Sequence, residues 1–351
     1  NHKASYLCLI PRTTNEYVKR SKLIRVEIMS DDEIAGTYNM AADGTLTLAS
    51  GGSKTITVTT GSGFSIDNTA DNMSKNATYA VVAPGTHTFR IRYWLRNTTD
   101  NPSGAIAGTV SKIVTLNCTA GSIHDITANL NPHDYDGDHY YMWDAQEQYW
   151  KGHEWNLGGS QPTLSQGLTG ATTSNDYAKS NADPRYYNEA FTNGADNKAT
   201  HTSCKDLPNV NEMTWYAAKG EPRWDANELW TTMGHLYKGG MWFKKKANIS
   251  GFDANKAVDG SDWRTNGGGS SWSVSQTLPD AADANNYFYL PALGFYNSGQ
   301  LYDVGNYGYY WSSSAHPWSS FGAYYLYFYS GYVGVNVSNR RNSGFRAEAF
   351  Q

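Results

Sequence analysis

The chain has 351 residues, of which 17 % are charged and 14 % aromatic, with 34 glycines and a formal net charge of −4. That length suits two domains, each large enough to bury its own core. The charge balance argues against a nucleic-acid partner, and no run reaches the ~18 apolar residues that a membrane span needs. Abundant glycine and aromatics with little charge favour short strands joined by turns over helical bundles. Lys244, Lys245 and Lys246 follow the apolar Met241-Trp242-Phe243 and read as a solvated strand end. No signal peptide stands at Asn1, as expected of a secreted protein after processing. Cys8, Cys118 and Cys204 lack metal-ligand spacing and an even count. Three separate thiols is the default reading, with a Cys8–Cys118 pair as the alternative.

Residues 1–131 read as strands. Ile24 to Ile28 alternates, as do Thr45 to Leu48 and Thr55 to Thr59, where apolar residues interleave with Thr as in a half-buried strand. Asp43-Gly44 and Gly51-Gly52 supply turns. Tyr79 to Val82 leads through a Pro84-Gly85 turn into Thr86 to Trp94, and Lys112 to Leu130 reads as a further β pair. Short strands at this spacing predict a β-sandwich. Ile24 to Ile28, Ile34-Ala35-Gly36-Thr37-Tyr38, Gly44 to Leu48 and Tyr79 to Phe89 resemble the fimbrillin family of Bacteroidales (type V) pilus subunits, over about a third of the chain. The resemblance implies a strand-acceptor domain at a fimbrium tip. A pilus stalk or adaptor subunit would be the partner, joined by donor-strand exchange.

Asn131-Pro132 marks the boundary, and residues 132–351 form the second domain, which is expected to be α+β. It opens with Tyr140-Tyr141-Met142-Trp143, and residues 157–182 read as loop. Asn209 to Gly220 predicts a helix, capped by Asn209 or Asn211, with Met213, Trp215 and Tyr216 on its apolar side. Trp224 to Leu236 reads as a second helix and Met241 to Phe243 as a buried strand. From Tyr287 onward the pattern is β.

Residues 324–338 fold on paper as a hairpin about Ser330-Gly331. Phe328 then faces Val333, Tyr327 faces Gly334 and Leu326 faces Val335. One face is core. The other carries Tyr325, Tyr327, Tyr329, Tyr332, Gly334, Asn336 and Ser338, with Asn339 following. Both strands agree on the faces, which a slipped register would not give. Tyr302, Asp303, Tyr307, Tyr309, His316, Trp318, Ser319, Ser320 and Phe321 add the same residue types on loops. Tyr gives a large amphipathic contact at low rotamer cost, and Ser, Gly and Asn adapt their hydrogen bonds, so the set reads as a ligand-binding face.

Tyr310-Trp311-Ser312-Ser313-Ser314, Ala323-Tyr324 with Leu326 and Phe328, and Arg340-Arg341 leading into Gly344-Phe345-Arg346 resemble the C-type-lectin-like module of Bacteroidales and Fibrobacter. That fold is shared by variable proteins of diversity-generating retroelements. The resemblance implies a variable face over about 296–341. Template adenines are mutated there, so pyrimidine-ending Asn codons yield Tyr, Ser, His, Asp, Gly, Phe or Asn, but not Lys, Glu, Gln, Met or Trp. The outward hairpin residues obey this rule, and Trp318 does not. The function implied is that of a secreted pilus-tip adhesin binding a host or bacterial surface ligand, protein or glycan. The alternative is a surface protein of fixed specificity.

Enzyme chemistry is not expected, and neither is a cofactor. The formylglycine-generating enzymes share the lectin-like fold but need a C-terminal cysteine, and none follows Cys204. His133, His139 and His153 lie near Asp134, Asp136, Asp138, Asp144 and Glu154, yet no Gly-x-Ser-x-Gly or His-Glu-x-x-His motif accompanies them. Asp134-Tyr135-Asp136-Gly137-Asp138 has the alternating carboxylates of a calcium loop without its later Gly and Glu, so no metal is expected there. The Glu-Pro-Asn and Gln-Pro-Asp triplets of calcium-dependent lectins are absent.

Overall fold

A computed structural model describes residues 2–100, 104–164, 172–190, 197–338 and 340–351. The chain is mainly β, with 45 % strand and 10 % helix. Internal contacts divide it into two units: Asn1–His133 with Asn227–Leu229 and Pro279–Asn285, and the remainder, Asp134–Ala226, Trp230–Leu278 and Asn286–Gln351. Among the described residues, no helix is long and apolar enough to cross a membrane.

The first unit holds β1 (Ser5–Arg12), β2 (Ser21–Ser30), β3 (Ala35–Met40), β4 (Leu46–Ser53), β5 (Thr55–Ser65), β6 (Thr78–Val82), β7 (Gly85–Asn97), β8 (Ile106–Cys118) and β9 (Ile123–Asn129). One sheet runs β6–β1–β9 and another carries β8–β7–β2–β5, while β3 and β4 pair as a ribbon. The alternation read in the sequence sets the register. Val26 and Ile28 lie opposite Tyr93 and Ile91 of β7 and opposite Val58 and Ile56 of β5. Val26, Ile28, Phe89, Ile91 and Tyr93 are fully buried.

Two local expectations are corrected. Lys112 to Leu130 supplies two strands, but they do not pair with each other: β8 pairs with β7, and β9 lies parallel to β1. Gly51-Gly52 is not a turn but the end of β4, where Gly51 at φ 66° accommodates a register shift against β3. A third feature had no sequence signal. Arg90 and Arg92 occupy the second face of β7 and are buried. Arg92 is 4.0 Å from Glu228, whose carboxylate also accepts from Thr109 Oγ1 (2.8 Å), Ser111 N (3.0 Å) and Ser111 Oγ (2.7 Å). Arg90 donates to the Pro279 carbonyl. Buried guanidinium groups need such partners, which is why Asn227–Leu229 and Pro279–Asn285 cluster with this unit. A cavity of about 560 Å³ beside β6 is lined by residues including Ile34, Tyr38, Leu46, Val81 and Val82.

The short strand β10 (His133–Tyr135) spans the boundary, and β11 (Tyr140–Tyr141) lies in the second unit. The Val210–Lys219 helix follows, with Asn209 as its N-cap. Asn209 Oδ1 accepts from Glu212 N at 3.0 Å, and the Glu212 carboxylate accepts from Asn209 N at 2.9 Å, a complete capping box. The predicted second helix at Trp224–Leu236 is instead a hairpin of β12 (Arg223–Thr232) and β13 (His235–Lys244). Met233 and Gly234 turn it with φ of 46° and 77°. Trp230, Thr231 and Thr232 favour a pleated strand once buried, and their tertiary packing overrides the helical reading. Met241 to Phe243 lies in β13 as expected, and Lys244 and Lys246 end beside Glu221 and Glu212.

The remaining strands are β14 (Ser270–Ser273), β15 (Tyr287–Pro291), β16 (Leu293–Asn297), β17 (Gln300–Val304), β18 (Gly308–Ala315), β19 (Ala323–Phe328), β20 (Tyr332–Ser338) and β21 (Phe345–Arg346). The central sheet runs β11–β21–β18–β19–β20–β14, with β16 joined to β18 and β17 to β16. The helix covers one face of it. Val210, Met213, Tyr216 and Ala217 share a buried cluster with Tyr310, Tyr324, Leu326, Phe328, Val333 and Val335.

Candidate functional site

The 324–338 hairpin has the register read from the sequence. Phe328 pairs with Val333, Tyr327 with Gly334, Leu326 with Val335 and Tyr325 with Asn336. Tyr329 N donates to Tyr332 O at 3.1 Å across the Ser330-Gly331 turn. Leu326, Phe328, Val333 and Val335 are fully buried, whereas Tyr325, Tyr327, Tyr329 and Tyr332 are half-buried on the opposite face.

β18 extends that face through Tyr309, which lies opposite Tyr327; Trp311, opposite Tyr325, is fully buried, and Tyr309 and Tyr325 pack against the cluster it forms with Phe345. The rings form a continuous ladder. Tyr309 stacks on Tyr327 (6.2 Å between centroids, 13° between planes), on Tyr325 (6.1 Å) and on Tyr307 (5.9 Å). Tyr307 meets Tyr329 at 5.0 Å, and Tyr332 stands edge-on to both Tyr329 and Tyr327. The Tyr327 and Tyr332 hydroxyls are 3.4 Å apart. Burial raises the hydroxyl pKa of Tyr307, Tyr309, Tyr325 and Tyr327, so these groups stay neutral donors and acceptors.

The other expected residues divide. Tyr302, Asp303 and Tyr309 sit on strands rather than loops. Tyr302 reaches the ladder through Phe295, which stacks on it at 5.4 Å and meets Tyr309 at 4.7 Å. Phe295 escaped the sequence reading, because it alternates with buried residues in an all-apolar run and carries no hydroxyl to mark it. Asp303 takes a left-handed backbone (φ 60°), and burial raises its carboxyl pKa. Gly334 offers no accessible surface of its own. It is buried, and a Cβ there would lie 2.5 Å from the Tyr327 ring.

His316, Ser319, Ser320 and Phe321 form the loop between β18 and β19. The His316 ring contacts Trp318 and the core-facing Tyr324. Burial, with Arg341 nearby, lowers the His316 pKa. Ser319 Oγ accepts from Phe321 N at 3.3 Å, and Trp318 and Phe321 are 64 % and 62 % exposed. Asn336 is exposed, with its Oδ1 accepting from Val337 N at 2.8 Å. Ser338 pairs with Ala323 in the backbone register. Asn339 lies outside the described residues.

Of the acidic run at 134–138, Asp134 is turned away from Asp136 and Asp138. Asp134 accepts from Thr231 Oγ1 at 2.6 Å, Asp136 bonds His139 Nδ1 at 2.7 Å, and Arg346 donates to the Asp136 carbonyl at 2.8 Å. Asp136, Asp138 and His139 do lie close together, as do Asp31, Asp32 and His87. All three cysteines are free and buried.

Compared with protein-family models, with curated proteins and with solved structures, the chain matches none.

Proposed function

We propose that this protein is a binding protein without enzymatic chemistry, a secreted pilus-tip adhesin that holds its ligand on the tyrosine ladder of β18, β19 and β20. The observation that carries this reading is the ladder itself. Six tyrosines (Tyr307, Tyr309, Tyr325, Tyr327, Tyr329 and Tyr332) are joined by ring contacts on a face whose reverse side is core. Rigid, half-exposed tyrosines with neutral hydroxyls give apolar area and hydrogen bonds at small entropic cost. In this reading the second unit is a C-type-lectin-like module. Tyr325, Tyr327, Tyr329, Tyr332, Gly334, Asn336 and Ser338 belong to its diversified positions.

The first unit is then a fimbrillin-like sandwich. Its 560 Å³ cavity beside β6, at the margin of a three-stranded sheet, would receive an apolar strand donated by a stalk or adaptor subunit. A synthetic donor strand from a stalk subunit should then raise the melting temperature, and no shift would count against the assembly role.

The test of the binding role is a protein and glycan array probed with the full chain and with Tyr327→Ala. Loss of the signal in the variant supports the ladder as the binding face, and an unchanged signal refutes it. Fixed specificity is the second reading, favoured by how closely the tyrosines pack on one another. Sister sequences that differ only at the outward positions would exclude it.

A further inference from the structure

We infer that the tyrosine ladder takes an arginine side chain of a protein partner, its guanidinium stacked on Tyr307 and Tyr309 and paired with the Asp303 carboxylate. This deepens the proposed binding role and rests on the ladder being the binding face.

Asp303 is tied to the ladder by its backbone. It takes a left-handed conformation (φ 60°), and its carbonyl accepts from Asn306 N and Tyr307 N, both at 3.0 Å. That short turn places Tyr307 beside it. Its charge reaches two rings. Burial and then the Asp303 charge raise the Tyr309 hydroxyl pKa, and Asp303 adds to the rise at Tyr307 after burial and Tyr329. The Asp303 side chain is exposed, yet the protein around it raises its carboxyl pKa by desolvation with nothing to offset it. Among the described residues, none donates a hydrogen bond or an ion pair to this carboxylate. Residues 1, 101–103, 165–171, 191–196 and 339, outside the description, include no Lys, Arg or His side chain that could neutralise it.

The sign of the ligand's charge follows. An anion would meet Asp303 without a counter-charge, and a neutral ligand would leave the carboxylate unpaired. A cation satisfies it and is also drawn to the tyrosine faces. Tyr307 and Tyr309 are half-buried, with rings 5.9 Å apart and 20° between their planes, so they offer two nearly parallel faces. A guanidinium is planar, more weakly hydrated than an ammonium, and forks onto a carboxylate through two parallel hydrogen bonds. Those properties match a flat aromatic surface beside an open carboxylate. The ladder extends well past one guanidinium, through Tyr325, Tyr327, Tyr329 and Tyr332, and that surplus of tyrosine suits the protein surface around an arginine.

The test is a calorimetric titration of the full chain with the blocked peptide acetyl-Gly-Arg-Gly-amide and with counterparts carrying citrulline or lysine in place of arginine. The arginine peptide should bind about tenfold or more tightly than the citrulline peptide, which has the same shape without the charge. Asp303→Asn should erase that difference, and Tyr307→Ala should weaken arginine binding. Glu33→Gln, which removes an exposed carboxylate of the first unit, should leave it unchanged. Thermal melts run alongside show that each variant is folded. The inference is overturned if the arginine peptide does not bind at millimolar concentration, if arginine and citrulline bind alike, or if lysine binds as tightly as arginine. It also falls if Asp303→Asn has no effect, or if Glu33→Gln weakens binding as much. The protein array, read with Asp303→Asn beside Tyr327→Ala, separates this inference from the reading beneath it. A signal lost in both variants supports the inference. A signal lost only in Tyr327→Ala overturns it and leaves the ladder as the binding face. A signal kept in Tyr327→Ala overturns the ladder reading, and the inference with it.

Discussion

Phe328 and Tyr327 are neighbours on one strand that point to opposite faces, so a paired substitution tests the face assignment directly. Phe328 is fully buried, and its ring lies flat over Gly308, where a Cβ would come within 2.3 Å of it. Tyr310 and Phe243 pack against it at 5.9 Å each. Removing such a ring from a core costs about 3–5 kcal/mol, because the surrounding side chains cannot close the void. In a unit of roughly 200 residues each kcal/mol moves the melting temperature by about 2–4 °C, so Phe328→Ala should lower it by ~6–20 °C. Tyr327 loses only half-buried area and a few ring contacts on truncation, a cost of about 1 kcal/mol. As a central anchor it should account for ~2 kcal/mol of binding, about a thirtyfold change in affinity. Calorimetric melting and titration against an array-identified ligand on both variants give the four numbers. A Tyr327→Ala variant that melts as early as Phe328→Ala, or one that binds normally, would refute the division of the strand into a core face and a binding face.

Asn209→Ala removes the side-chain half of the capping box and should cost about 1 kcal/mol, read from the shift in denaturation midpoint. The Arg264 guanidinium, at 2.7 and 2.9 Å, holds the Asp262 carboxyl at about 2 despite partial burial, with help from the Asn211 amide. Its folded value lies below its unfolded one, so its contribution is complete above about pH 4 and is lost as pH falls towards 2. The stability gap between wild type and Asp262→Asn should therefore narrow over that window, and a gap independent of pH would contradict the assignment. Melting in calcium and in chelator should coincide, since Asp134 is engaged by Thr231 and the close set Asp136, Asp138 and His139 offers two carboxylates where calcium takes six or more oxygens, and a large loss in chelator would reveal a real site. Burial pushes the thiols of Cys8, Cys118 and Cys204 up, that of Cys204 to about 12. A thiol reagent at pH 8 should consequently label none in the native protein and all three after unfolding.

Legibility followed the range of the interaction. The β19–β20 hairpin was readable because its register depends on a two-residue turn and on alternation within 15 residues, both local. The Asn209 cap and Gly220 stop were readable for the same reason. Trp224 to Leu236 was misread because its strand character comes from burial of Trp230, Thr231 and Thr232 against partners elsewhere in the chain, which no window exposes. The parallel pairing of β1 with β9 joins residues more than 100 positions apart. Arg90 and Arg92 carry no mark of burial in the sequence, and Glu228 gives no sign that it is the counter-charge for Arg92. In the site, the tyrosines announced themselves by type, but Phe295 did not, and the inaccessibility of Gly334 depends on where the Tyr327 ring falls.

That ring position bears on how freely the face can vary. On the core side Phe328 lies over Gly308, its partner across the strand pair, and on the outer side Tyr327 lies over Gly334 in the same way. Each glycine leaves the space that a Cβ would fill, so an aromatic ring covers bare backbone of the neighbouring strand. The core pair is closed and admits no change. The outer pair is half-exposed, so a side chain at 334 would lift the Tyr327 ring and with it the contacts to Tyr332 and Tyr309. Position 336 faces solvent beside the ladder and is free to exchange, whereas Tyr325 and Tyr332 are half-buried members of it, Tyr325 against Tyr309 and Phe345 and Tyr332 against Tyr327 and Tyr329. Position 334 is different. It does not meet a ligand itself but sets the height of the ring that does, so residues 327 and 334 act as one unit. A double-mutant cycle between them should be strongly non-additive, while the pair 327 and 336 should be close to additive.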